Sequence, residues 1–272
     1  MKERKFKIML DAGHHGSHYN QSTVIPEYYE SNFTWDFHLM LKEELEKYGF
    51  VVGTTRKSKE KDLEVTRRGR RGKGYDLFIS IHSNASGNPN KDRVAIYHQV
   101  QTGDEHEMTS LAFAKHMAPI VNHAMECTGS PCVGCRPGDT DLDRDGMPDD
   151  YYGVLRGASL VGCPAVIIEH SYHTNERATR WLMDKDNLEA LANIEAEAIA
   201  EFFGVKEQFK IGDVNGDGKV DTKDYVIAKR IFLGTYNPTP EELARCDING
   251  DGKFTATDYV MLKRMVLGTY KK

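Results

Sequence analysis

Three apolar runs in this chain end on residues that ligate metals or move protons. KIMLDAGHHGSH, residues 7–18, passes from a short strand-like segment into an aspartate, two glycines and the imidazoles of His14, His15 and His18. YDLFISIHSN, residues 75–84, ends its apolar run on His82, and PAVIIEH, residues 164–170, ends on Glu169. In open α/β sheets ligands sit at the carboxyl ends of the strands, where an imidazole serves as metal ligand or base. Parallel pairing of the three runs predicts that His14, His82 and Glu169 share one edge. Glu30 opens the first long helical segment, where a βα loop returns it to the same edge. The set supplies two histidines and a glutamate for Zn2+, an open fourth position, and a separate carboxylate for proton transfer.

A second chemistry lies near the C-terminus. Residues 213–224 read DVNGDGKVDTKD and residues 247–258 read DINGDGKFTATD, the same twelve-residue pattern returning after 34 residues. Each copy runs into a similar apolar segment, YVIAKRIFLGTY or YVMLKRMVLGTY, so the unit is an internal repeat. Ca2+ takes six to eight oxygens, and a loop with acidic or amide side chains at alternating positions and a glycine at the turn wraps one ion. Asp213, Asn215, Asp217, Asp221 and Asp224, with the Lys219 carbonyl, fit that template. Asp247, Asn249, Asp251, Thr255 and Asp258, with the Lys253 carbonyl, fit it again. A third acidic run, DTDLDRDGMPDD at residues 139–150, places Asp141, Asp143, Asp145, the Met147 carbonyl and Asp149 in register for calcium. Its twelfth position is Tyr152, which offers no carboxylate, so a calcium-ordered insertion and a plain solvated loop stay open.

The elements that must position these groups follow from periodicity. FKIML, FVVGTT, YDLFISI, RVAIYH and PAVIIE read as strands. Helical spacing runs through FTWDFHLMLKEELEKYG to a stop at Gly49, and again over residues 105–125 and 187–203. Alternating strands and helices predict an α/β domain, a twisted, mostly parallel sheet flanked by helices, over residues 1–204. Residues 205–272 are expected to form a small all-α module of two calcium loop-helix units joined by NPTPEELAR.

Composition agrees with a globular chain: of 272 residues, 39% are hydrophobic and 28% charged. A net charge of −5 argues against a nucleic-acid or anionic-membrane partner. RRGRRGKG, residues 67–74, reads as a solvated helix face and turn. The longest apolar run, LVGCPAVII, is far short of the roughly 20 residues that span a bilayer. IML after MKERKF is too short for a signal-peptide core, so the expectation is release at lysis, phage-style, or secretion with the leader removed. Five cysteines form no disulfide framework, and CTGSPCVGC has no second pair to complete a four-cysteine zinc site.

The segments LDAGHHG, Glu30 with its amphipathic helix and GFVVGTTR, EVTRRGRRGKGYD, FISIHSN and VLRGASLVGCPAVIIEHSYHTN resemble the zinc-dependent N-acetylmuramoyl-L-alanine amidases, the amidase_3 family, over residues 6–204. The resemblance implies a twisted mixed sheet flanked by helices, with His14, Glu30 and His82 as zinc ligands and Glu169 as the catalytic glutamate. It implies hydrolysis of the amide joining N-acetylmuramic acid to L-alanine, with bacterial peptidoglycan as substrate and the cell wall as the place of action. The chain departs from the family at His15-Gly16, where GG is usual, which makes His15 a competing ligand. Ser31-Asn32 follows Glu30, and Glu27 stands one turn earlier as a competitor. His170 and His173 either line the cleft or are ordinary surface histidines. Asn84 and Asn175, candidates for holding loops or contacting glycan, and Arg67, a candidate for orienting the helix edge, are read as structural hydrogen-bonding residues.

Residues 211–272 resemble the type I dockerins, whose paired calcium units dock onto a cohesin-type scaffold domain. The recognition positions hold Thr222 and Lys223 in one copy, Ala256 and Thr257 in the other, with Lys229, Arg230, Lys263 and Arg264 on the helices. The joint expectation is a peptidoglycan amidase carried on a calcium module that attaches it to a scaffold or wall. The alternatives are an inactive wall- or cohesin-binding protein and a zinc peptidase on other peptides. No helical H-E-x-x-H supports the peptidase.

Overall fold

Lys7–Ala12 (β1) buries every residue but its first, as a strand covered on both faces must. In a computed structural model of the chain, which describes residues 4–100, 102–141, 146–205 and 210–270, it lies inside a six-stranded sheet. The chain continues through Glu30–Lys47 (α1), Val51–Thr54 (β2), Val65–Gly69 (α2), Leu77–Asn84 (β3), Ala95–His98 (β4) and Glu105–Ala124 (α3). It then forms Cys132–Gly134 (β5), Gly153–Ser159 (α4), Ala165–Tyr172 (β6), Glu176–Met183 (α5) and Lys185–Phe203 (α6). The strand order is β2-β1-β3-β6-β4-β5. All neighbours are parallel except β4, which runs antiparallel to β6. The three strands that end on His14, His82 and Glu169 are thus adjacent and parallel.

Successive strand residues point to opposite layers. Ile8, Leu10, Ile79 and Ile81 pack with Phe37 and Leu41 of α1, Phe113 of α3 and Leu191 of α6. Met9, Phe78 and Ile167 face the other layer, against Val154, Leu155 and Ala158 of α4. There α2 and α4 approach so closely that only glycine fits: a Cβ on Gly69 would lie 2.0 Å from the Val154 carbonyl oxygen, and one on Gly157 2.2 Å from that of Thr66. The five expected strands are present, and β5 adds a sixth, three residues long, inside CTGSPCVGC.

Contacts divide the chain into two units, residues 1–206 and 207–272. In the second, Thr222–Phe232 (α7) and Ala256–Val266 (α9) each follow an acidic loop. Each opens with reciprocal side-chain caps, Asp221 with Asp224 and Thr255 with Asp258. Pro240–Cys246 (α8) forms within the joining segment. Val214, Ala228, Cys246 and Leu262 make the core. Tyr225 and Tyr259, one repeat apart, stack at 5.1 Å with their hydroxyls 2.5 Å from each other. Among the described residues no helix is long and apolar enough to cross a membrane.

Candidate metal centre and its cleft

Where β1 ends, Gly13 extends the ladder by donating its amide to the Ile81 carbonyl at 3.0 Å. A Cβ there would meet the His82 ring at 2.5 Å, so glycine clears the space that the second histidine fills. His14 follows with φ +58, a left-handed turn costly for a residue with a side chain. Glu30, in the first turn of α1 and 2% exposed, stands between the two imidazoles. Its Oε2 lies 3.1 Å from His14 Nε2 and its Oε1 2.9 Å from His82 Nδ1. Asn20 Nδ2 and the Ser83 amide donate to the same carboxylate, each at 2.9 Å. Ligand atoms of His14, Glu30 and His82 all fall within 4.8 Å of one another.

These three residues line a cleft of about 320 Å³ together with Glu169, His173 and Tyr152. Burial pushes the Glu30 carboxyl up, but hydrogen bonds from His14 and His82 prevail and hold it well below the usual carboxylate range. Glu169 is driven the other way, well above that range, first by burial and then by the negative charge of Glu30. Its Oε2 is buried without a hydrogen-bond partner. A buried oxygen left unpaired beside a His-Glu-His donor set fits a borderline cation whose water completes the site.

The competitors separate. His15 turns to Asp62, 3.4 Å away, and packs at a tilt against the Tyr19 ring. Glu27 lines a different groove, with Leu182 and Leu188. His173 is 4% exposed and walls the cleft; its Nδ1 bonds the Ser83 carbonyl at 2.9 Å, and burial lowers its pKa. His170, expected in the cleft or on the surface, is in neither place: it is fully buried. It follows Glu169 on the sheet's alternation and so points into the layer under α1 and α6. Asn84 lines the cleft, and Asn175 caps α5 through the Ala178 amide.

The basic run is not wholly solvated. Arg67 is exposed, but Arg68 is 5% exposed and clamps Asp11 through Nε at 2.9 Å and Nη2 at 2.5 Å. Ser80 and Thr55 complete the shell of donors around Asp11. Asn20, Arg68 and Tyr152 belong to the site's surroundings without any local motif to announce them.

In the C-terminal unit Asp213 Oδ2 accepts the Gly218 amide at 2.8 Å, and Asp247 Oδ2 the Gly252 amide at 2.7 Å. Asp224 and Asp258, at position twelve, are fully buried and accept the Asn215 and Asn249 amides. Asp213 Oδ1 is buried and unpaired, which suits an oxygen-seeking cation. In the third acidic run Asp143 and Asp145 lie outside the described residues. Asp141 there accepts the Gly146 amide at 3.2 Å, Met147 is exposed and Asp149 half-buried.

The architecture and cleft define an α/β protein with a His-Glu-His cluster that could hold a metal ion beside a buried carboxylate. Residues 8–201 match the N-acetylmuramoyl-L-alanine amidase family model, and the chain belongs to that family. Residues 211–267 match the dockerin type I domain, so the chain carries a C-terminal dockerin. It is 27% identical over 197 residues to "Probable cell wall amidase LytH" of two strains of Staphylococcus epidermidis. That alignment takes in 72% of this chain and 58% of the relative's length, so the chain spans little more than half of the curated relatives it matches. Among solved structures it shares its fold with the catalytic domain of CwlV, an N-acetylmuramoyl-L-alanine amidase from Bacillus (Paenibacillus) polymyxa. There the TM-score is 0.59 at 24% identity, covering 74% of this chain and 99% of that one. Cwp6 from Clostridium difficile matches at 0.61 and 23% identity, over 73% of this chain and 29% of that one.

Proposed function

We propose that this chain is a zinc-dependent N-acetylmuramoyl-L-alanine amidase that cleaves the bond between N-acetylmuramic acid and L-alanine in peptidoglycan. His14, Glu30 and His82 would hold the zinc, and Glu169 would be the general base. The observation that carries the reading is the convergence of those three ligands within 4.8 Å in the cleft that also holds Glu169. A bound zinc supplies Lewis acidity for the scissile carbonyl and lowers the pKa of water toward about 7. Glu169, its Oε2 free of other bonds and its affinity for a proton raised, takes the proton from the attacking water and delivers it to the departing amine. Glu30, held ionised, keeps its charge in the ligand set.

The C-terminal dockerin would bind two calcium ions through the loops at 213–224 and 247–258. It would attach the enzyme to a cohesin-type scaffold at the bacterial wall. Support comes from the repeat, the family match and the unpaired Asp213 oxygen. The test is incubation of the chain with purified cell walls and assay of new L-alanine amino groups. These should appear, vanish with a zinc chelator and return on zinc addition. Zinc-loaded protein that releases none overturns the proposal.

A further inference from the structure

We propose that the buried His170-Glu195 pair is a positioning device for the metal site, acting through the backbone of His82; the inference rests on the zinc amidase reading. The geometry begins with a break in the sheet. β3 and β6 pair His82 with Glu169 and then Asn84 with Tyr172, so β6 spends three residues where β3 spends two. Such a bulge is rare in a parallel pair and re-aims side chains near it. Ser171 sits in it at φ +59, a strained value for serine. Glu169, before the bulge, and His173, just past the end of β6, both line the cleft.

His170 joins the two strands at this point. Its Nδ1 lies 3.0 Å from the His82 carbonyl oxygen, which can only accept, so Nδ1 carries the hydrogen. Its Nε2 lies 2.8 Å from Glu195 Oε1 on α6, with one proton shared between them. Both side chains are fully buried. The rings of Phe33 and Phe37 meet the imidazole edge-on at 5.4 and 5.1 Å and fix its plane. Within the bulge Ser171 donates to Asp92 at 2.8 Å, and Arg177 clamps that carboxylate. The chain of contacts runs from α6 through His170 to the strand residue that presents the second zinc ligand.

Stability does not account for the pair. Glu195 Oε2 is buried without a partner, and replacing a buried ionic pair by apolar groups of similar volume is often neutral or stabilising. What apolar residues cannot supply is the bond to the His82 carbonyl. Outer partners that orient metal ligands are typically worth about 10–100-fold in metal affinity or activity.

The test is the full-length double variant His170→Phe/Glu195→Leu. Its melting temperature should match or exceed the parent's. Zinc affinity, read by competition with a chromophoric chelator, should fall by about 10–100-fold. kcat should fall with KM unchanged, and the visible spectrum of the cobalt-substituted protein should shift. Should that variant fail to fold, Glu195→Met, which removes only the acceptor, is compared with Glu195→Gln, which keeps a bond to Nε2. Glu195→Gln should hold zinc more tightly than Glu195→Met. Variants with parental zinc affinity and kcat, or equal affinities in the second pair, overturn this inference alone. A parent chain that binds no zinc overturns the amidase reading instead.

Discussion

Glu30 and Glu169 share one cleft and are driven in opposite directions, two identical side chains set apart by their surroundings. Two imidazoles and two N–H donors keep Glu30 ionised, whereas Glu169 has burial and a negative neighbour against it. Glu169→Gln should therefore retain a full equivalent of zinc by elemental analysis while kcat falls by about 10²–10⁴. His14→Ala and His82→Ala should lose the metal itself, and a purified variant with a full equivalent would refute the ligand assignment. A titrating group outside the cleft makes a separate prediction. Asp150 is 3% exposed, and its pKa is pushed up to about 7 by burial and by the charges of Glu107 and Asp149. Folding raises this pKa from an ordinary value near 3.8, so the native state binds more protons than the unfolded one. Stability contributed by its protonated form is complete below about pH 4 and drains away as pH rises toward 7. Asp150→Asn should melt with the parent at pH 4 and above it at pH 8, with a ceiling of about 4 kcal/mol. Equal melting temperatures at both pH values would show that Asp150 carries no such penalty.

At the scale of elements, the cleft's wall depends on the touching glycines of α2 and α4. Val65 and Arg68 from one helix and Gly153 and Val154 from the other line the cleft, so their spacing sets its width. Gly157→Ala would press a methyl group against the Thr66 carbonyl and should cost about 1–3 kcal/mol as overpacking. Melting temperature reads the first effect, and a raised KM with a smaller change in kcat reads the displaced wall; an unchanged KM would mean that the cleft does not depend on this contact. The same region marks the limit of what the sequence discloses. β1, β3, β6, α1, α3 and α6 are long enough for their apolar period to be visible; α1, β3 and β6 carry Glu30, His82 and Glu169, and β1 leads into His14. α2, α4 and β5, of five, seven and three residues, are too short to display a period. In RRGRRGKG the glycines look like punctuation of a solvated run. Only the fold reveals that Gly69 is a contact and Arg68 a buried partner of Asp11. The burial of His170 is illegible for the same reason, since its partners His82 and Glu195 are distant in sequence; Asn20, close in sequence to His14 and Glu30, belongs to no motif that would single it out.

At the scale of the whole molecule, the dockerin loops are legible because the oxygens of each lie within twelve consecutive residues, whereas the cleft exists only when three strands and a helix meet. That locality makes calcium stoichiometry a decisive measurement. Each dockerin loop gathers carboxylates that repel until a cation arrives, and Asp224 and Asp258 are fully buried. A cation bound only by the folded form stabilises it by about 4 kcal/mol when present at 1,000 times its Kd. Calorimetric titration of the full chain should find at least two calcium equivalents, and calcium removal should lower the melting of the C-terminal unit. Asp213→Ala should remove one equivalent and Asp247→Ala another, each without touching zinc content, because both residues serve only their own loop. An equivalent that survives the double substitution and disappears with Asp141→Ala would belong to the run at residues 139–150. A chain whose calcium uptake ignores Asp213 and Asp247 would leave the capping boxes and the Tyr225-Tyr259 stack to hold the repeat without an ion.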